Sequence, residues 1–166
     1  MMKSKCVWAC VLGAFLMAFP AAASAQDGTV TYVAILTGSG EPSAVVTAAF
    51  GDFTLTVDNR TNRGDFVLRL WNIPATITGA HIHIGVAAVN GPVIISLNPP
   101  GGLAGDVQLR GSIDLSAGLT AQPTRGLVDV RDLLQILAAH PEMLYVNVHT
   151  TTNPGGEIRG PLVLNR

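Results

Sequence analysis

The stretch Phe53-Thr54-Leu55-Thr56-Val57-Asp58, then Asn59-Arg60-Thr61-Asn62-Arg63-Gly64, then Phe66-Val67-Leu68-Arg69-Leu70, decides the fold class. Phe53, Leu55 and Val57 alternate with polar neighbours, and Phe66, Leu68 and Leu70 resume the alternation beyond a polar turn. A period of two marks a strand with one buried face, and two such runs around a short polar segment form a hairpin. Upstream, Thr29 to Thr37 (TVTYVAILT) is β-branched and aromatic, which suits a pleated surface. Downstream, strands are expected over Ile77 to Ile84, Val93 to Leu97, Val107 to Leu115, Leu144 to Thr150 and Glu157 to Leu164. Asn98 to Gly105 (NPPGGLAG) is loop, because proline and glycine interrupt any ladder. One helix breaks the series: Asp129 to Ala139 (DVRDLLQILAA) spaces Val130, Leu133, Leu134 and Leu137 along one face, and Pro141 stops it. The expectation is an all-β fold, an about eight-stranded Greek-key sandwich or barrel with one short helix.

The N-terminus reads as a cleavable export signal. Lys3 and Lys5 precede an apolar run from Cys6 to Phe19, and Ala23-Ser24-Ala25 has the small-x-small form of a cleavage site. The run is shorter than the roughly 20 apolar residues a membrane-spanning helix needs. Residues 1–25 are therefore expected to be a signal peptide and 26–166 one domain, with a mature start near Gln26 and a secreted or periplasmic location.

Removing that segment takes away both cysteines and both lysines. No disulfide can then staple the exported domain, so its core must hold it together. Eight arginines face eleven acids, a formal net charge of −3, with no basic stripe, which argues against nucleic acid as a partner. Without lysine or cysteine, Schiff-base and thiolate chemistry are excluded. No Gly-x-Ser-x-Gly, His-Glu-x-x-His or phosphate-binding glycine loop is present, which weakens a hydrolase reading.

Histidine carries what chemistry remains. His81 and His83 stand two apart on an expected strand and share a face, with Ala80, Ile82 and Ile84 on the other. His149 lies on the Leu144–Thr150 strand, where Tyr145, Asn147 and His149 oppose Val146 and Val148. Matching apolar faces brings Glu157 or Arg159 of the last strand near Asn147 and His149. Two readings follow. His81, His83 and His149, with Glu157 as a weaker fourth ligand, form a donor set for copper or zinc. Alternatively these residues, with Asn147 and Arg159, make a structural polar face in which Glu157 and Arg159 form an ion pair. His140, ahead of Pro141, is expected at the helix cap or exposed.

Taken in order, three stretches resemble the CHRD domain, the module named for chordin. They are Leu36-Thr37-Gly38-Ser39-Gly40-Glu41-Pro42; Ala80-His81-Ile82-His83-Ile84-Gly85 with Asn90-Gly91-Pro92-Val93; and Leu144 to Thr150 followed by Asn153-Pro154-Gly155-Gly156-Glu157-Ile158-Arg159-Gly160. Pro42-Ser43-Ala44 departs from the family's hydrophobic residue and paired prolines. The resemblance implies an extracellular or periplasmic β-rich module, a non-enzymatic binding or structural unit whose partner is an exported protein or a metal ion; it implies no activity. His81-Ile82-His83 is also similar to the copper strand of Cu,Zn superoxide dismutase, a fold-level analogy, since that enzyme's disulfide cysteines are absent and four histidines are too few for its two metals.

Overall fold

The structure, a computed structural model, describes residues 28–86 and 89–166. The expected signal peptide lies outside the described residues. The elements are β1 (Thr29–Thr37), β2 (Phe50–Asp58), β3 (Arg63–Ile73), β4 (Ile77–Ile84), β5 (Val93–Ser96), β6 (Gly105–Asp114), α1 (Val130–Ala139), β7 (Leu144–Thr150), β8 (Ile158–Pro161) and β9 (Val163–Leu164). The fold is all-β with one helix, and every strand pairing is antiparallel.

The β2–β3 hairpin pairs Phe53 with Leu68 and Leu55 with Phe66, so its apolar residues share the inner face as the alternation requires. The strands run in the order β5-β4-β7-β8-β1-β2-β3-β6, and β9 pairs with β1 beside that path. One curled sheet thus replaces two separate layers. Its halves, β5-β4-β7-β8 and β1-β2-β3-β6, meet where Thr37 pairs with Arg159. The expected last strand divides into β8 and β9. Pro161 has no N–H to give, Leu162 still donates to the Leu144 carbonyl, and Val163 and Leu164 then pair with Val33 and Tyr32. Leu164, beyond that break, is consequently 40% exposed.

The core gathers Leu36, Phe53, Leu55, Leu68 and Leu70 from one half and Ile82, Ile84, Val146, Val148 and Ile158 from the other. Helix α1 adds Leu133 and Leu137. Asp129 caps it, accepting from the Arg131 and Asp132 amides while the Asp132 carboxylate accepts the Asp129 amide. His140 ends the helix, largely exposed, with Nδ1 3.2 Å from Glu142.

The β4–β7–β8 segment is buried on both faces. Along β7 six of seven residues are buried, including Asn147 and Tyr145 on the side away from the core. Loops around Gly40, Asn90-Gly91 and Asn153–Gly156 bond to this outer face. A sheet face covered only by loops can hold polar side chains out of bulk water without placing them among aliphatic ones.

Candidate metal centre on the outer face of β4, β7 and β8

Register places the histidines. His81 pairs with Asn147, His83 with Tyr145, and His149 with Gly79. The missing side chain at Gly79 matters: a Cβ there would lie 2.7 Å from Cε1 of His81, so the ring rests over the glycine and turns toward His149. Ring centroids are 5.1 Å apart for His81 and His149, 5.6 Å for His81 and His83, and 5.8 Å for His83 and His149. One nitrogen from each ring lies within 4.8 Å of the other two. A tetrahedral ion bonded to nitrogen at 2.0–2.1 Å holds its ligands about 3.3 Å apart, so modest side-chain rotations would close the set.

Hydrogen bonds fix which nitrogens face inward. His83 Nδ1 is 2.9 Å from the Gly91 carbonyl and His149 Nδ1 is 3.0 Å from the Pro154 carbonyl. A carbonyl only accepts, so both Nδ1 atoms carry hydrogen and both Nε2 atoms present a lone pair. Histidines that ligate metals use this same arrangement of a backbone partner behind the ring. His83 also stacks on Tyr145, 4.9 Å between centroids and 8° from parallel, and the Tyr145 hydroxyl accepts the Gly91 amide at 2.8 Å.

Electrostatics keep the rings neutral. Burial pushes His83 down to about 4, outweighing the Gly91 hydrogen bond, with smaller contributions from His149, His81 and Arg159. Burial also lowers His81, helped by His149, and lowers His149 against the Pro154 bond. Near neutral pH no proton has to leave before a cation can bind.

The acidic neighbours sit elsewhere. Glu157 is fully buried; Oε2 accepts from Asn153 Nδ2 at 2.5 Å and Thr150 Oγ1 at 3.0 Å, and it does not join the histidine cluster. Burial works against its ionisation, but hydrogen bonds from Asn153, Thr47 and Thr150 prevail and its pKa falls below the usual value. The expected Glu157–Arg159 ion pair is replaced: Arg159 Nε is 3.7 Å from Glu41 Oε2 and donates to the Gly40 carbonyl at 2.7 Å. Nη1 reaches the Val89 carbonyl and Asn90, and the guanidinium carbon lies 4.6 Å from the Tyr145 ring centre. The physical reason is competition, since the turn after β7 and the loop after β1 each offer a closer partner.

Glu41 carries no spacing signal in the sequence, although it lies within the stretch that carries the family resemblance. Glu41, 7% exposed, helps to line a cleft of about 310 Å³ with Ser43, Asn90 and Asn153–Gly156. Burial pushes its carboxyl up to about 7, against the pull of Arg159 and with the push of Glu157. Gly156, at φ 139°, packs against that carboxyl where any Cβ would collide.

Among the described residues, seven buried side-chain atoms lack a hydrogen-bond partner, and all belong to this region: His81 Nδ1, His83 Nε2, His149 Nε2, Asn147 Oδ1, Glu41 Oε1, Glu157 Oε1 and Arg159 Nη2. Buried polar atoms are usually satisfied, so such a concentration calls for a physical account.

The family described as the CHRD domain matches residues 32–162, so the chain belongs to the CHRD-domain family. No curated protein and no solved structure matches it. Among the described residues no helix is long and apolar enough to cross a membrane.

Proposed function

We propose that this CHRD-domain protein is an exported, non-enzymatic module that binds copper or zinc through His81, His83 and His149. One observation carries the reading: three imidazoles on two neighbouring strands, His83 buried and His81 and His149 partly buried, hold their nitrogens within 4.8 Å. Two of the rings are oriented by backbone carbonyls behind them. Neutral imidazole suits both Cu(II) and Zn(II). The remaining coordination position belongs to water or another protein oxygen. Glu157 is a poor occupant, since its carboxylate already serves the turn at Asn153.

Calorimetric titration with Zn(II) and Cu(II) tests the reading, with thermal unfolding in parallel. An ion that binds only the folded chain raises the melting temperature. His149→Ala should abolish binding and the thermal shift, while His140→Ala should leave both unchanged. Absence of binding by the wild-type protein would overturn the proposal. The boundary at Gln26 belongs to the same reading. Intact mass of protein recovered from periplasm or medium should correspond to residues 26–166, and full-length chain in the membrane fraction would refute export.

A further inference from the structure

Resting on that metal reading, we infer that the amide oxygen of Asn147 is the protein's fourth ligand, making a site of three imidazole nitrogens and one neutral oxygen. Asn147 shares the sheet face of the histidine cluster. It is the direct cross-strand partner of His81 and stands two residues before His149 on the same strand face. Directly opposed residues have Cβ atoms about 4.5–5.5 Å apart. A short amide therefore lies beneath the longer rings that converge above it.

Its hydrogen bonding makes the case specific. Asn147 is 1% exposed and its Oδ1 has no donor. On the far side its register partner is Arg159, a residue rich in donors. Yet Arg159 sends Nε to Gly40 and Nη1 to Val89 and Asn90, and Nη2 makes no hydrogen bond to Asn147 or to any other group. The strongest neighbouring donor thus leaves the amide oxygen unpaired. Four buried atoms without a hydrogen-bond partner remain on β4 and β7: His81 Nδ1, His83 Nε2, His149 Nε2 and Asn147 Oδ1. His83 Nε2, His149 Nε2 and Asn147 Oδ1 can only accept, and His81, whose tautomer no hydrogen bond fixes, has at most one N–H to share among them, whereas one divalent cation can take a lone pair from all four at once.

This donor set has a chemical consequence. Four neutral ligands leave the ion's double charge uncompensated, and an oxygen donor favours Zn(II) or Cu(II) over Cu(I), which prefers soft sulfur. A closed protein ligand set also characterises sites that hold a metal, whereas catalytic sites keep a position open to water.

Zn(II) affinity of the full domain, measured by chelator competition, tests the assignment with three variants. Asn147→Leu keeps the approximate size and removes the oxygen; it should weaken Zn(II) by about tenfold or more, in the range seen when a metal's supporting groups are lost. Asn147→Asp supplies a charged oxygen at the same position and should bind at least as tightly as wild type. Cu(II) electron paramagnetic resonance on the wild type and on Asn147→Leu supplies a readout independent of folding. The inference expects the parallel g and copper hyperfine values to change while signals from three imidazoles persist. Wild-type affinity in Asn147→Leu, with unchanged spectra, would overturn the fourth ligand while leaving the three-histidine site standing. Loss of binding only in His149→Ala has that same meaning. A wild-type protein that binds neither ion would remove both. If Asn147→Leu does not fold, Asn147→Asp decides: tenfold weaker binding by a folded aspartate variant would overturn the inference.

Discussion

Glu41→Gln should make the protein's stability more sensitive to acid than that of the wild type. Two buried groups oppose each other in the metal-free protein. The Glu41 carboxyl is raised from 4.5 to about 7, so its ionised form opposes folding, and stability increases as pH falls from 7 toward 4.5. The His83 imidazole is lowered from 6.5 to about 4, so it takes a proton on unfolding, and stability is lost as pH falls from 6.5 toward 4. Proton linkage between pH 7 and pH 5 gives about +2 kcal/mol from Glu41 and about −2 kcal/mol from His83. These two nearly cancel, and the lowered values of His81 and His149 add to the loss of stability in acid. Glu157 and the surface carboxylates with lowered values act only below this window. Glutamine deletes the compensating half and leaves the histidines. Urea unfolding in the presence of chelator, at pH 7 and pH 5, should then show Glu41→Gln losing about 2 kcal/mol more than wild type over the interval. The comparison is internal to each protein, so any change in packing made by the glutamine drops out. Parallel pH profiles for the two proteins would refute the reasoning, because they would mean that burial does not hold the Glu41 carboxyl protonated.

Metal affinity should depend less on pH than three ordinary histidines would require. With His83 neutral down to about 4, Zn(II) affinity should fall by at most about 100-fold from pH 7.5 to 5.5, against about 1000-fold for three imidazoles with pKa about 6.5. Competition titrations at the two pH values distinguish these slopes. Gly79→Ala introduces a Cβ 2.7 Å from the His81 ring; by displacing that ligand it should weaken Zn(II) by about tenfold. Retention of wild-type affinity by a folded Gly79→Ala protein would contradict the role given to the glycine.

The strands and the shared face of His81 and His83 were legible because alternation is a local property. The same logic placed Asn147 and His149 away from the core, and the Asn153–Gly156 turn brought Glu157 and Arg159 alongside. Partner choice was not legible. Glu41 meets Arg159 from the far end of the chain, and no periodicity connects residues so far apart. Nor could composition reveal that loops would cover the outer face, which is why the depth of Asn147 and the depressed pKa of His83 emerge only in three dimensions. Glu157 to Leu164 read as one strand despite Pro161, because the turn of Val163 toward β1 depends on where β1 lies.

Pairing across the sheet gives the site a place in time as well as in space. His81 is matched by β7, whose Asn147 follows it by 66 residues, and Thr37 is matched by Arg159, 122 residues later. Contacts so distant in sequence form slowly, because loop closure must precede any stabilisation they bring. A chain emerging from the ribosome holds His81 and His83 long before it holds His149, and β1 lacks its β8 partner until synthesis is nearly complete. Neither the ligand cluster nor the closed sheet can exist in a partial chain. The strands β1, β2, β3 and β6 pair in one block that synthesis completes by Asp114, whereas the three-histidine cluster assembles only as the C-terminal strands dock.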